Sequence, residues 1–219
     1  MQKGKLIIIE GIDGSGKTTQ AKFLIKQLKQ QGRKIKTIHF PQHHQDVFGN
    51  LVGAYLNNEF GPATKLDYRL AATLYACDRF EAKDKINGWL AQGYWVILDR
   101  YAESNFGHQG GKISHTKKRL AVINWLYNLD YKVFKNPKPD LVIFLDIPVK
   151  FVVKLMQIMG KQHDGHESNR QFLKNSRQAY LEANKKYNYW QSVQCIKNNQ
   201  LLTINEIHVK ILRIVKKLK

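Results

Sequence analysis

The chain has 219 residues, 43% hydrophobic and 24% charged, which excludes a largely disordered polymer and leaves ample length for one α/β core. Its 36 Lys and Arg against 17 Asp and Glu give a formal net charge of +19, an excess that attracts polyanions. The basic residues are spread along the chain without the interleaved aromatics of a base-stacking platform, so the charge reads as a solvated surface suited to small polyphosphates, and a nucleic-acid partner is not expected.

Apolar runs such as Leu141–Leu145 fall far short of the ~20 residues of a membrane helix. The four apolar residues Leu6–Ile9 are too few for an export signal. Cys77 and Cys195 cannot build a disulfide framework. The expectation is a cytoplasmic protein with no membrane partner and two reduced thiols in its core.

In chain order, the near-continuous apolar runs Lys5–Glu10, Ile35–Phe40, Tyr94–Asp99 and Leu141–Asp146 read as buried parallel strands, with a weaker fifth near Ser192–Ile196. Between the first two, Ala21, Leu24, Ile25 and Leu28 recur at helical spacing opposite Lys22, Lys26 and Lys29, and Gly32 ends the helix. Near the C-terminus, Thr203 and Glu206 have capping-box spacing, and Ile207, Ile211, Ile214, Val215 and Leu218 form a stripe. Alternating strands and helices predict βαβ units in a three-layer α/β fold, a parallel five-stranded sheet with helices on both faces. The polar stretch around 158–170 reads as a mobile lid within a single domain spanning 1–219.

Gly11, Ile12, Asp13, Gly14, Ser15, Gly16, Lys17 and Thr18 match G-x-x-x-x-G-K-[ST] between the first strand and the first helix, with Thr19 following. In this pattern successive backbone N–H groups converge on a phosphate chain at a helix N-terminus. Lys17 is placed for the β- and γ-phosphates of ATP, and the Thr18 hydroxyl for Mg²⁺. A carboxylate at a strand end completes such a metal site. Asp99, followed by Arg100, is the candidate and Asp146 the rival, Asp146 being read as a helix cap ahead of Pro148. If the acceptor is a nucleoside monophosphate, its phosphate is already a dianion at neutral pH, so neutralisation and alignment matter more than a general base.

The motifs together resemble thymidylate kinases. The stretch Glu10–Gln20, the Phe40-Pro41 pair, Leu74–Glu81, Asp99–Ser104 with Gln109-Gly110, and Pro139–Pro148 carry the resemblance, which runs from about residue 5 to 182. It implies transfer of the ATP γ-phosphoryl group to dTMP, in dTTP synthesis, by a homodimer using Mg²⁺. Lys17, Arg100 and Asp99 would be catalytic. Asp13 would bind the sugar 3′-hydroxyl, with Phe40 and Leu56 flanking the base and Tyr75 stacking on it. Arg79 would reach carbonyl O4, Arg100 the acceptor phosphate, and Asn105, His108 and Gln109 the base and sugar edges.

The chain departs from the family pattern at His43, where an arginine is usual, and at His108, where a tyrosine is. Lys161 is left as the lid cation for the γ-phosphate. The pairs His43-His44 and His163/His166 lack the neighbours of a zinc site. The rival readings are a kinase for another deoxynucleotide or deoxynucleoside, and a nucleic-acid-binding P-loop protein without turnover.

Overall fold

The computed structural model describes residues 3–42, 46–63, 65–158 and 170–218. Five parallel strands form one sheet in the order β2-β3-β1-β4-β5: β1 (Leu6–Glu10), β2 (Ile35–Lys36), β3 (Trp95–Asp99), β4 (Leu141–Asp146) and β5 (Trp190–Gln194). The central strands are apolar up to an acidic last residue because helices cover both faces, and every residue of β1 and β4 is buried. β1 lies between β3 and β4, with Ile8 opposite Leu98 on one side and Val142 on the other. The carboxyl ends of all three therefore open on the same edge, where sheets of this type bind ligands.

Between the strands run α1 (Lys17–Gln30), α2 (Val47–Leu56), α3 (Tyr68–Glu81), α4 (Lys83–Ala91), α5 (Glu103–Gly111), α6 (Thr116–Asn128), α7 (Val149–Ile158), α8 (Arg170–Lys186) and α9 (Ile204–Val215). Ala21, Leu24 and Leu28 of α1 are buried as the spacing predicts, and Ile25 is half-buried. Gly32 at φ 78 closes that helix, with Arg33 N–H donating to Leu28 O and Gly32 N–H to Lys29 O. At α9 the capping box is fully formed: Glu206 N–H donates to the Thr203 hydroxyl, and Thr203 N–H to the Glu206 carboxylate.

Two strand expectations shift. The run Ile35–Phe40 pairs only at Ile35–Lys36, with an isolated bridge from His39 to Asp99. At this edge the Thr37 hydroxyl donates to Ile97 O at 2.7 Å, so a side chain takes up a carbonyl of the neighbouring strand. The fifth strand begins two residues earlier than expected, because Trp190 and Val193 supply its buried positions. Ile196 instead starts the short hairpin β6 (Ile196–Lys197) and β7 (Gln200–Leu201), turned by Asn198 and Asn199 at φ 49 and 59.

The packing that matters most for the site is α5 on α8. A Cβ at Gly107 would stand 2.2 Å from the Tyr180 ring, and one at Gly111 2.5 Å from Ser176 Oγ. Glycine on this face lets the two backbones close, which leaves the opposite face of α5, with Asn105, His108 and Gln109, for other work. Tyr180 is fully buried and its hydroxyl donates to Glu10 Oε2 at 3.0 Å, so the ring has little room to give. Gly107→Ala should therefore lower the unfolding free energy by about 2 kcal/mol in urea titration, overpacking outweighing the gain in helix propensity. An unchanged or raised midpoint would show that α5 and α8 do not meet this closely.

Candidate functional site: a phosphate loop beside an acceptor cavity

The loop between β1 and α1 is shaped by glycines in left-handed conformations, Gly14 at φ 77 and Gly16 at φ 85, and Gly16 is the N-cap of α1. Lys17 folds back over the loop, its Nζ donating to Gly11 O at 2.8 Å and Ile12 O at 2.9 Å. Burial, reinforced by the Arg100 charge, lowers its pKa to about 8. Beneath the loop Glu10 is fully buried and accepts from Tyr101 N–H at 3.0 Å and from the Ser104 and Tyr180 hydroxyls. Burial raises its pKa against the pull of Arg100 and Lys17. The sequence reading assigned no role to Glu10, although an acid ending an apolar strand just ahead of the loop was a usable signal.

Thr18 and Asp99 come together as expected: the Thr18 hydroxyl donates to Asp99 Oδ2 at 2.5 Å. The other oxygen, Oδ1, is buried without a hydrogen-bond partner among the described residues. A hydroxyl beside an uncommitted carboxylate oxygen is a donor set suited to a hard, oxygen-loving cation that takes its remaining ligands from phosphates and water. Among the described residues no group of three or more acidic, His or Cys side chains could hold a metal by itself. Asp146, read as a helix cap, is instead held by Arg177 Nε and Gln194 Nε2, each at 2.7 Å. Both partners lie far along the chain, so the local Asp-Ile-Pro spacing gave the wrong answer.

Next to the loop lies a cavity of about 280 Å³. Asp13, Phe40, Leu56, Tyr75, Arg79, Arg100, Asn105, His108 and Gln109, the residues proposed for the acceptor, all line it. Tyr75, with Leu74 beside it, also packs on the small cluster of Tyr55, Ala63 and Ala71, so the same ring lines the cavity and anchors α3. Tyr55 meets Tyr75 edge to face with ring centroids 6.1 Å apart. Gln42 N–H donates to Asp78 Oδ1 at 3.2 Å, tying the segment that carries Phe40 to α3, while burial raises the Asp78 carboxyl to about 6.

Arg100 has φ 72, a costly conformation for a non-glycine residue, and it aims the guanidinium into the cavity. It pairs with Asp13 and lies 3.0 Å from His108 Nε2. Burial would raise the Asp13 carboxyl, but Arg100, with His108 and Lys17 behind it, holds it well below the usual range. Arg79 is less available than its motif suggests: its Nε and Nη2 donate to the two oxygens of Asp130 at 2.8 and 3.0 Å, and Asn136 holds that carboxylate at 3.0 Å. Tyr55, Tyr101, Lys112 and Phe172 also line the cavity and were not foreseen. Lys161 and the histidines at 43, 44, 163 and 166 lie outside the described residues.

The thymidylate kinase family model matches residues 9–210. The chain belongs to the thymidylate kinase family. Thymidylate kinase from Plasmodium falciparum is 27% identical over 218 residues, covering 100% of this chain and 92% of that one. A probable thymidylate kinase from Pyrococcus abyssi is 30% identical over 216 residues, 98% and 97% of the two chains. The solved structure of thymidylate kinase from Candida albicans superposes with a TM-score of 0.75 at 30% identity, over 98% of this chain and 92% of that one. As a thymidylate kinase family member the chain is a nucleotide-binding phosphotransferase of the nucleoside monophosphate kinase class, with the five-stranded parallel sheet of the P-loop NTPase fold. Among its described residues no helix is long and apolar enough to cross a membrane.

Asp130 is the partner on which Arg79 depends. Asp130→Ala leaves a guanidinium that is only 2% exposed without its counter-charge and should cost about 3 kcal/mol or more in chemical denaturation. A loss under 1 kcal/mol would mean that Arg79 finds another carboxylate.

Proposed function

We propose that this enzyme transfers the γ-phosphoryl group of ATP to dTMP, producing dTDP and ADP. The observation that carries the proposal is a cavity walled by Tyr75, Asn105 and Gln109 and shared with the phosphate loop through Asp13 and Arg100. It is large enough for a nucleotide's base and sugar and directs an attached phosphate toward Lys17.

In this reading the chain's own groups do the following. Backbone amides of Gly11–Thr19 and the α1 N-terminus hold the ATP phosphates. Lys17 exchanges its loop carbonyls for β- and γ-oxygens. Arg100 takes the acceptor phosphate, whose oxygen competes with Asp13 for the guanidinium. The released Asp13 carboxylate accepts from the sugar 3′-hydroxyl. Tyr75 stacks on the base, Phe40 and Leu56 border it, and Arg79 reaches a ring carbonyl with Nη1, the nitrogen that Asp130 does not engage. The dianionic acceptor oxygen attacks γ-phosphorus in line, the bond to the β-bridging oxygen breaks, and ADP leaves. Thr18 and Asp99 would hold Mg²⁺, which when bound spreads the negative charge of the phosphates.

The proposal also includes a single catalytic domain over residues 1–219, a cytoplasmic location and a homodimer, all on family resemblance and sequence. The lid near 158–170, with Lys161 as its γ-phosphate cation, rests on sequence alone because residues 159–169 lie outside the described set.

Steady-state ADP release across nucleosides and monophosphates tests the acceptor: dTMP should be used and thymidine should not, and the reverse would overturn the assignment. Lys17→Ala should reduce kcat at least a thousandfold with an unchanged melting temperature; near-normal turnover would remove Lys17 from the phosphate site.

The pH profile follows from the lowered Lys17 pKa of about 8. The ammonium is charged below that value and loses its proton above it, so kcat/KM for ATP should hold steady below about pH 7, fall to about half by pH 8 and decline tenfold per unit well above pH 8. A profile flat to pH 10 would contradict the buried, lowered lysine.

A further inference from the structure

Lys112 follows directly on α5, with helical backbone angles (φ −67, ψ −16), one turn beyond His108. It shares a helix face with Asn105, His108 and Gln109, at spacings of seven, four and three residues. Its side chain lines the same cavity, and its Nζ is buried with no hydrogen-bond partner among the described residues. The carboxylate whose charge acts on it, Asp67, is already gripped by Arg69 through two hydrogen bonds of 2.9 and 2.8 Å. Burial accordingly lowers the Lys112 pKa, with Asp67 only partly opposing it. A buried ammonium without a partner is costly, and a ligand that brings an acceptor removes the cost.

The position of Lys112 restricts what that acceptor is. The phosphate end of the cavity is marked by Arg100 and Asp13, and His108 stands beside them at 3.0 and 3.8 Å. Lys112 starts about 6 Å farther along the helix from His108. The same cavity is lined by the apolar and aromatic side chains of Leu56, Tyr55, Tyr75 and Phe172 as well as by the charged groups. A ligand region that suits such walls is the flat ring of the base, and the strong acceptors on a thymine ring are its two carbonyl oxygens. We propose that Lys112 donates a hydrogen bond to a carbonyl oxygen of the acceptor's pyrimidine ring and is a specificity-determining residue of this enzyme. The inference rests on the reading that the cavity takes dTMP. Lys112 thus adds a cationic reader to α5 beside the one that Arg79 contributes from α3, and the polar face of α5 becomes a row that follows the substrate from phosphate to base.

The test is a cycle between protein and substrate. Lys112→Met keeps the aliphatic stem and removes the donor. It should raise KM for dTMP at least fivefold, change KM for ATP less than twofold, and lower kcat less than threefold. Thymidylates with sulfur in place of O2 or of O4 carry a weaker acceptor at one known atom. In the wild type the analogue altered at the contacted oxygen should show a higher KM than dTMP, and in Lys112→Met that difference should collapse. Lys112→Arg, which keeps a donor, should recover most of the lost KM. A dTMP KM unmoved by Lys112→Met, or thio-penalties that persist at both positions, would overturn the proposal. So would a lowered melting temperature with KM intact, which would assign Lys112 to the fold. Failure of the wild type itself to phosphorylate dTMP would instead sink the reading of the cavity, which separates the two claims.

Discussion

Four charges converge at the carboxyl ends of β1 and β3, and the site depends on their balance. Lys17 and Arg100 face each other across the phosphate loop, and each would be expelled from so buried a place by the other alone. Glu10 beneath the loop and Asp13 within it supply the compensating charge. Asp13 is the shared member: it lies 3.7 Å from Lys17 Nζ and pairs with Arg100. In the proposed reaction a phosphate entering between the cations would take over the work of Asp13 and leave a carboxylate facing the substrate, so that the anion holding the loop together is one a substrate could displace.

Helix α5 carries this arrangement outward. One of its faces is glycine, which brings α8 so near that Tyr180 reaches Glu10 under the loop. The other face is polar and lines the cavity. Packing and recognition are thus divided between two sides of a nine-residue helix. The strained backbone of Arg100, immediately ahead of α5, fits the same logic: it turns the chain from strand to helix while keeping a guanidinium aimed back toward the loop.

Much of the frame was legible in local pattern. The buried strands β1, β3 and β4 are apolar up to their acidic last residues because both faces of the sheet are covered, and the capping box at Thr203 satisfies backbone groups three residues apart. The glycines at 14 and 16 are needed for backbone conformations that belong to the loop itself. The weaker edges were harder to read. β2 is shortened where Thr37 supplies a side-chain hydrogen bond to its neighbour, and β5 presents only Trp190 and Val193 to the core, so neither has the unbroken apolar run that marks a central strand.

By itself the sequence determined the phosphate loop, the order of strands and helices, and the family, because each is written in residues close together in the chain. Tertiary structure alone decided which charges meet. Asp130 lies 51 residues from the arginine it binds, Arg177 lies 31 residues from Asp146, and the Lys112 ammonium has no hydrogen-bond partner among the described residues while Asp67 is held by Arg69. Spacing along a chain reports what backbone geometry repeats. The partner of a long, buried side chain depends on which surfaces the folded layers press together, and that is settled only when the whole core closes.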